Sequence, residues 1–250
     1  MIEPTLIGRL GNFLFEVATA YAYSLRHDME YNIPLNEDGN GYIARFFPQL
    51  ETHKVLPPHS VWKEPTHGYT PIPKFEHVKI LEYFQSEKYF SDYRNEVLKL
   101  FNFPYEFKKG WTSIHVRRGD YVTFHTRFPP VDSRYLGTAI RLMERNHLTK
   151  FLVFSDDLTW CKQNLNSTKY PNSIFEYSEG KNEFEDMALM SHCEHNIIAN
   201  SSFSWWGAWL NQNPNKIVVS PSKEPGNWFG QRVTLETKDI IPDSWVQIRF

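Results

Sequence analysis

Short apolar runs alternate with segments of helical spacing from residue 111 onward. Residues suited to an N-cap come before three of the helical segments, namely Asp132 or Ser133, Asp156 or Asp157, and Asn200 or Ser201. This alternation predicts repeated βαβ units and therefore an α/β domain built on a doubly wound parallel sheet. The apolar runs are 111–117, 151–155, 174–177, 195–199 and 216–219, and the helical segments are 135–143, 158–165, 184–193 and 203–210.

Polar residues gather where these apolar runs end. In a doubly wound sheet the ligand binds at the carboxyl ends of the strands, near the point where the strand order reverses. The pattern therefore predicts a binding site made from strand ends. The polar segments concerned are 115–120, 155–157, 178–180, 200–202 and Ser220.

The first hundred residues follow a different pattern. A strand at 2–7 leads into a turn at 8–12 and then an amphipathic helix, whose apolar face comprises Leu14, Val17, Ala18, Tyr21, Ala22 and Leu25. A strand near 78–83 and a helix near 86–101 follow, whereas 34–76 has little periodicity and is expected to form irregular, acceptor-facing loops. The segment 103–110 is the best hinge candidate. We therefore expect an N-terminal acceptor-side domain at 1–108 and a C-terminal ligand-binding domain at 109–250.

Composition excludes several classes of partner. The formal net charge is −2 with both signs interspersed, so nothing favours nucleic acid or an anionic membrane, and an anion site must be local. Cys161 and Cys193 are too few for a disulfide framework and are expected to be buried thiols. The chain shows neither a secretory signal nor an apolar stretch of eighteen residues, which predicts no integral membrane segment. We expect a cytoplasmic or membrane-peripheral protein.

The segment after the first apolar run carries the candidate chemistry. His115, Arg117, Arg118 and Asp120 follow an apolar strand, and paired guanidiniums suit a bidentate anion such as pyrophosphate. A surface salt-bridge cluster is the alternative reading of the same residues. Asp156 with Asp157 resembles a metal-binding pair, but a helix cap is the favoured interpretation of Asp156, and no metal is expected.

Three separated segments resemble one family. The turn at 8–15 (GRLGNFLF), the strand end at 115–120 (HVRRGD) and the segment at 199–211 (ANSSFSWWGAWLN) together resemble the alpha-1,2-fucosyltransferases of glycosyltransferase family 11. FSDD at 154–157 and the stretch 184–202 match as well. The resemblance implies inverting, metal-independent transfer of L-fucose from GDP-fucose to the 2-hydroxyl of a galactose-containing glycan. It also implies a GT-B-like fold of two Rossmann-type domains facing a cleft, with no cofactor besides the donor.

The resemblance also assigns roles to individual residues. Arg117 resembles the arginine that clamps the donor pyrophosphate, and Arg118 its neighbour that orients the site. The catalytic candidates are Arg117, Asp120 and Asn12. The remaining donor-binding candidates are His115 and Asp186 for guanine, Ser201, Ser202 and Phe203 for phosphate oxygens, and Gly8 and Gly11 in the glycine turn that also holds Asn12.

Some assignments stay open at this point. Asp120 is either the base that deprotonates the acceptor or a carboxylate that holds an arginine, and His125 is a second candidate base. The family turn usually reads GGLGNQ, whereas Arg9 and Phe13 stand here at its second and sixth positions. Arg9 could add a cation near the phosphates or point to solvent. A protein O-fucosyltransferase-like enzyme and a non-catalytic module that binds a nucleotide sugar or a carbohydrate are the alternatives.

Overall fold

The computed structural model describes residues 1–34, 41–47, 50, 52–53, 60–103, 106–179, 182–230 and 235–249. The chain divides into two compact units: unit 1 is Met1–Phe103 with Lys238–Pro242, and unit 2 is Pro104–Thr237 with Asp243–Phe250. This division falls before the predicted boundary at 108, and it places a short C-terminal segment with unit 1. Part of the predicted hinge, residues 104–105, lies outside the described residues.

Unit 1 is built on short parallel strands. β1, β5 and β4 form one sheet in that order, and β2 pairs with β3. Two 3₁₀ turns, Glu87–Tyr89 and Ser91–Tyr93, precede the last helix. The elements are β1 (Ile2–Pro4), α1 (Leu10–His27), β2 (Ile33–Pro34), α2 (Tyr42–Phe46), β3 (Thr52–His53), β4 (Val61–Lys63), β5 (Val78–Leu81) and α3 (Arg94–Leu100).

Several predictions for this half were wrong in detail. The single helix expected at 86–101 is two 3₁₀ turns followed by α3, because Phe90 leaves helical dihedrals at φ −139°. β3 and β4 lie in the stretch expected to be irregular loops. The predicted apolar face of α1 is turned toward the interior except at Leu25, which is 38% exposed. The helix also begins at Leu10, so the predicted turn residues Gly11 and Asn12 belong to its first turn.

Unit 2 is an all-parallel sheet with helices between its strands. Its elements are β6 (Lys108–Val116), α4 (Gly119–Thr123), α5 (Ser133–Arg145), β7 (Lys150–Ser155), α6 (Leu158–Asn164), β8 (Ile174–Tyr177), α7 (Glu183–Ser191), β9 (Cys193–Ile197), α8 (Ser202–Trp209), β10 (Val218–Pro221) and β11 (Val246–Ile248). The five predicted strands are present. β11, which the apolar pattern did not indicate, adds a sixth.

The strand order defines where a ligand would bind. The sheet runs β11-β10-β9-β6-β7-β8, so the first strand of the unit lies in the middle and the chain winds outward to each edge in turn. The order reverses between β6 and β9. This confirms the prediction of a doubly wound sheet, and the reversal places the binding edge at the carboxyl ends of these two strands.

Large side chains fill the interior of unit 2. Trp205, Trp206 and Trp209 of α8 are fully buried, as expected of core residues. Both cysteines are buried free thiols, and burial raises the pKa of Cys161 to about 11 and that of Cys193 to about 12. Within the described residues, none of the helices has the length and apolar character needed to cross a membrane.

Candidate functional site

The segments that follow β6 and β9 are tied to each other. β6 and β9 are parallel neighbours, with Ser113 opposite Asn196. Beyond the strands, Tyr121 Oη donates to the carbonyl oxygen of Asn200 at 3.0 Å. Asn200 in turn donates through Nδ2 to the carbonyl oxygens of Pro129 and Trp228, at 2.9 and 3.0 Å. These hydrogen bonds stabilise the sheet edge at the switch point, where residues 115–120 and 200–203 lie side by side.

Arg117 is held between two carboxylates. Its Nη2 lies 2.5 Å from Asp120 Oδ1, and its Nη1 lies 2.8 Å from Asp156 Oδ2. Its side chain is 20% exposed, and its guanidinium carbon lies 5.7 Å from the centre of the Tyr121 ring. The guanidinium is thus fixed at the edge of the sheet while part of it stays open to solvent.

Arg118 has its own set of partners. Its Nε lies 3.0 Å from Asp157 Oδ2, and its guanidinium carbon lies 4.3 Å from the centre of the Trp160 ring. Its backbone N–H donates to Asp156 Oδ1 at 2.8 Å. Neighbouring guanidiniums that bind different carboxylates do not form the paired fork that the sequence indicates, and Arg117 is the one held by Asp120.

Of the two aspartates after β7, which the sequence offers as alternative caps, one is the cap and the other has a different role. The cap of α6 is Asp157, whose Oδ1 accepts the N–H of Trp160 at 2.9 Å. That hydrogen bond, with Arg118, lowers the pKa of Asp157. The interpretation of Asp156 as a helix cap was wrong, because its two oxygens bind Arg117 and the backbone of Arg118 instead.

Gly119 permits this close approach, and sequence reasoning missed its role. A Cβ at this position would lie 2.6 Å from Asp156 Oδ2, which is closer than real Cβ contacts. The glycine between Arg118 and Asp120 is the only signal in the sequence, and it does not identify the carboxylate, which lies far along the chain.

His115 is a buried, neutral imidazole. Its residue is 5% exposed, and burial lowers its pKa to about 4, with Asp156 acting in the opposite direction and Arg117 in the same one. Among the described residues its Nδ1 has no hydrogen-bond partner. Its ring centre lies 5.4 Å from that of Phe203, so the structure brings together these two predicted residues.

Helix α8 begins directly after β9 and points its first turn at this edge. Ser201 occupies the N-cap position with extended dihedrals (φ −139°, ψ 129°), and its side chain makes no capping hydrogen bond. Ser202 and Phe203 form the first turn, and all three residues are half-buried. The backbone N–H groups of a helix N-terminus favour an anion.

Asp186 lies in α7 and hydrogen-bonds a residue after the edge strand. Its Oδ1 accepts from Ser178 Oγ at 2.6 Å, and Ser178 follows β8. Burial raises its pKa, and the serine hydrogen bond opposes that shift. A half-buried carboxylate with one fixed oxygen can accept hydrogen bonds from a ligand.

The glycine turn lies in unit 1. Gly8 has a positive φ of 86°, and a Cβ there would clash with Asn12 Nδ2. Asn12 Oδ1 accepts from Gln85 Nε2 at 2.9 Å, a partner that sequence reasoning missed. Gly11 is buried within α1.

The structure places both departures from the family turn. Arg9 is exposed to solvent, directly before α1. Phe13 is buried, and its ring centre lies 5.8 Å from that of Phe47 and 5.9 Å from that of Tyr42. Phe13, at the sixth position of the turn, therefore packs in the core of unit 1.

Within the described ranges, no three His, Cys, Asp or Glu side chains come together in a way that could hold a metal ion. Asp156 and Asp157 are occupied by arginines and backbone N–H groups. Metal independence stays a prediction.

Parallel sheets in both units define an α/β protein of the GT-B-like class. The model of the family Glycosyl transferase family 11 matches residues 106–249, more than half of the chain. The chain belongs to this family.

Individual relatives extend the likeness toward the N-terminus. An Alpha-1,2-colitosyltransferase of Escherichia coli is 36% identical over 192 residues, which cover 68% of this chain and 62% of that protein. The match thus spans less than two thirds of that relative. The Galactoside 2-alpha-L-fucosyltransferase SEC1 of Bos taurus is 27% identical over 272 residues, covering 96% of this chain and 72% of that protein.

A solved structure shares the fold. It is an arginine-to-lysine mutant of Arabidopsis thaliana FUT1 in complex with GDP, with a TM-score of 0.53 and 12% identity. The superposition covers 92% of this chain and 73% of that chain. At this identity the likeness is one of fold alone.

Proposed function

We propose that this chain catalyses the inverting transfer of L-fucose from GDP-fucose to the 2-hydroxyl of a galactose-containing glycan. The observation that carries the proposal is the juxtaposition, at the switch point of unit 2, of Arg117 and the N-terminus of α8. Two cationic or N–H-rich groups at this edge suit a diphosphate. The name of the Bos taurus relative supplies the sugar and the galactoside acceptor. The names of both relatives supply the linkage.

The chemical demand of the reaction fits Arg117. As GDP leaves the anomeric carbon, negative charge grows on the diphosphate, and fixed donors that face this charge lower the barrier. A guanidinium has five N–H donors, so the contacts with Asp120 and Asp156 leave donors for phosphate oxygens. The two carboxylates orient the group before the donor binds, and the N–H groups at Ser201–Phe203 would receive further phosphate oxygens.

His115 is suited to reading a base rather than to carrying charge. An imidazole whose pKa is about 4 is neutral at physiological pH, so it would hydrogen-bond guanine instead of pairing with phosphate. Its ring lies beside that of Phe203, and its buried Nδ1 has no hydrogen-bond partner among the described residues. Asp186, with one oxygen on Ser178, is the carboxylate that we assign to the guanine N–H groups.

The acceptor hydroxyl needs a base, and two roles remain for Asp120. Its contact with Arg117 supports the role of arginine partner. Its side chain is 41% exposed, which keeps the role of base open as well. Asn12, an amide, would donate a hydrogen bond during transfer rather than accept the proton.

Three further properties belong to the same proposal. The enzyme would need no metal and no cofactor besides its donor, since Arg117 does the work of neutralising charge. Its partners would be GDP-fucose and the glycan, without nucleic acid, and its location would be cytoplasmic or membrane-peripheral. Unit 2 would be the GDP-fucose-binding domain and unit 1 the acceptor-side domain.

Transfer of a colitosyl group is a second candidate, because the E. coli relative at 36% identity is named for that activity. The donor sugar is therefore tested directly. A protein O-fucosyltransferase-like activity and a non-catalytic sugar-binding module are tested in the same experiment through the acceptors.

The experiment incubates the purified chain with GDP-fucose, or with a colitosyl nucleotide donor, and a panel of β-galactosides and one folded protein acceptor. GDP release is measured, and the product linkage is determined by NMR. We expect GDP release with fucose on the galactose 2-hydroxyl, an α-linked product from the β-linked donor, and full activity in chelator. Absence of both GDP release and GDP binding would overturn the proposal, and activity confined to the protein acceptor would favour the alternative enzyme.

A further inference from the structure

Side-chain hydrogen bonds in unit 1 link His67, Gln85 and Asn12. β1 and β5 are parallel neighbours, with Ile2 opposite Val78, so the segments that follow them leave the same edge of the sheet. Asn12 lies in the first turn of the helix after β1, and Gln85 lies just after β5. Gln85 Nε2 donates to Asn12 Oδ1 at 2.9 Å.

The direction of these hydrogen bonds is determined by Gln85. Its nitrogen donates to Asn12, so its Oε1 is the acceptor for His67 Nε2, which lies 3.0 Å away. His67 must then carry its proton on Nε2. As a consequence, Asn12 uses Oδ1 as an acceptor toward Gln85, and its Nδ2 is the donating end, which lies against Gly8.

The backbone around Gln85 is built to hold it in place. Glu82 and Phe84 have positive φ values of 96° and 52°, conformations that side chains rarely adopt and that cluster at functional sites. The N–H of Phe84 donates to the buried Glu64 Oε2 at 3.2 Å. The Phe84 ring is fully buried and lies 5.3 Å from that of Tyr89.

Within the described ranges, the side chain of Gln85 hydrogen-bonds other side chains and no main-chain group. Its two hydrogen bonds go to the side chains of His67 and Asn12, and it is half-buried. A residue whose role was purely structural would be expected to satisfy backbone groups or to fill the core. The arrangement instead fixes which end of the Asn12 amide points away from Gln85.

We infer that Gln85 is a positioning residue for fucosyl transfer, which acts by orienting the Asn12 amide so that Nδ2 donates toward the reacting sugars. This inference rests on the proposed function. It identifies the segment after β5 as part of the machinery, although the segment itself need not touch substrate.

Two substitutions separate orientation from structure. Gln85→Leu removes both hydrogen bonds, and we expect kcat to fall about 10- to 100-fold with a KM for GDP-fucose within ~3-fold of wild type. Gln85→Glu keeps the size and a partner for Asn12, but a carboxylate only accepts, so the Asn12 amide must turn and present Oδ1 instead. We expect a kcat loss at least as large, with a melting temperature within about 2 °C of wild type.

A double-mutant cycle tests whether Gln85 acts through Asn12. Asn12→Ala and Gln85→Leu are measured alone and together, and we expect the pair to lose no more activity than Asn12→Ala alone. The control is Gln163→Leu, at an exposed glutamine of α6, which should keep wild-type kinetics. The amide resonance of Asn12, followed by NMR, should shift in Gln85→Glu.

The outcomes are distinguishable. Two results would overturn the inference and leave the proposed function intact. In the first, the wild-type enzyme transfers fucose and Gln85→Glu has the same kcat as wild type. In the second, the activity losses of Asn12→Ala and Gln85→Leu multiply in the double mutant. A wild-type protein that releases no GDP with any acceptor overturns the proposed function and this role together.

Discussion

Asp156 and Arg117 form an ion pair in which Oδ2 of the carboxylate lies 2.8 Å from Nη1 of the guanidinium. The second oxygen of the same carboxylate accepts the backbone N–H of Arg118, also at 2.8 Å. One side chain from the end of β7 thus fixes both the side chain and the backbone that follow β6. The guanidinium of Arg117 is therefore already in position before a diphosphate binds, because Asp156 at the end of the neighbouring strand holds it there.

Arg117→Ala should abolish most of the activity. Loss of a fixed donor to a developing negative charge costs about 10²- to 10³-fold in rate, and we expect kcat/KM for GDP-fucose to fall by that much in a GDP-release assay. The control is Arg134→Ala, whose side chain is 81% exposed in an ion pair with Asp132 and should change the rate less than ~2-fold. Wild-type turnover in Arg117→Ala contradicts the assignment of this residue to the diphosphate.

Asp156→Asn tests the positioning role directly. The amide oxygen can still accept the N–H of Arg118, whereas the charge opposite Arg117 is lost. We expect kcat to fall about 10- to 100-fold with little change in unfolding temperature. Asp132→Asn, which changes an aspartate that caps α5, serves as the matched variant. If Asp156→Asn loses stability but keeps kcat, the carboxylate supports only the fold.

Gly119→Ala should disturb the same carboxylate by contact. The new Cβ would lie 2.6 Å from Asp156 Oδ2, so either the loop or the aspartate must move. We expect the free energy of unfolding, measured with urea, to fall by about 1–3 kcal/mol, together with a loss of kcat. In an Asp156→Ala background the same substitution should cost much less stability, since the clashing oxygen is gone. Equal costs in both backgrounds would place the strain elsewhere.

The sequence is sufficient to predict the sheet of unit 2 and the edge of that sheet at which the candidate site lies. Periodicity identifies each βαβ unit, and the polar residues at strand ends then fall together because the strands are parallel. The short strand β4 escapes detection, since Val61 is 59% exposed and the run has no apolar face. Likewise, the apolar pattern does not indicate β11, which joins the sheet at its edge by pairing with β10.

The partners of the site residues are harder to predict than the residues themselves. Asp156 and Asp157 are adjacent in the chain, and local rules make either one a good cap. Only the register of β6 against β7, which places Val116 opposite Ser155, shows that Asp156 reaches Arg117. Gln85 gives no signal at all, because a lone glutamine after a strand has no pattern and its contact with Asn12 depends on the order of strands in unit 1.

His115 makes stability depend on pH in a defined direction. Burial lowers its pKa from 6.5 to about 4. Between these two pH values the imidazole is therefore protonated in the unfolded chain and neutral in the folded chain. Its contribution to stability is therefore fully present above about pH 6.5 and is lost as the pH falls toward 4. His115→Phe tests this dependence, because phenylalanine can pack beside Phe203 and does not titrate.

The free energy of unfolding is measured with urea between about pH 4.5 and 7.5. The variant should become more stable relative to wild type as the pH falls, because the other titrating groups are common to both proteins. A stability difference that does not change with pH would mean that His115 is accessible to protons in the folded protein, and therefore unsuited to reading guanine as a neutral ring.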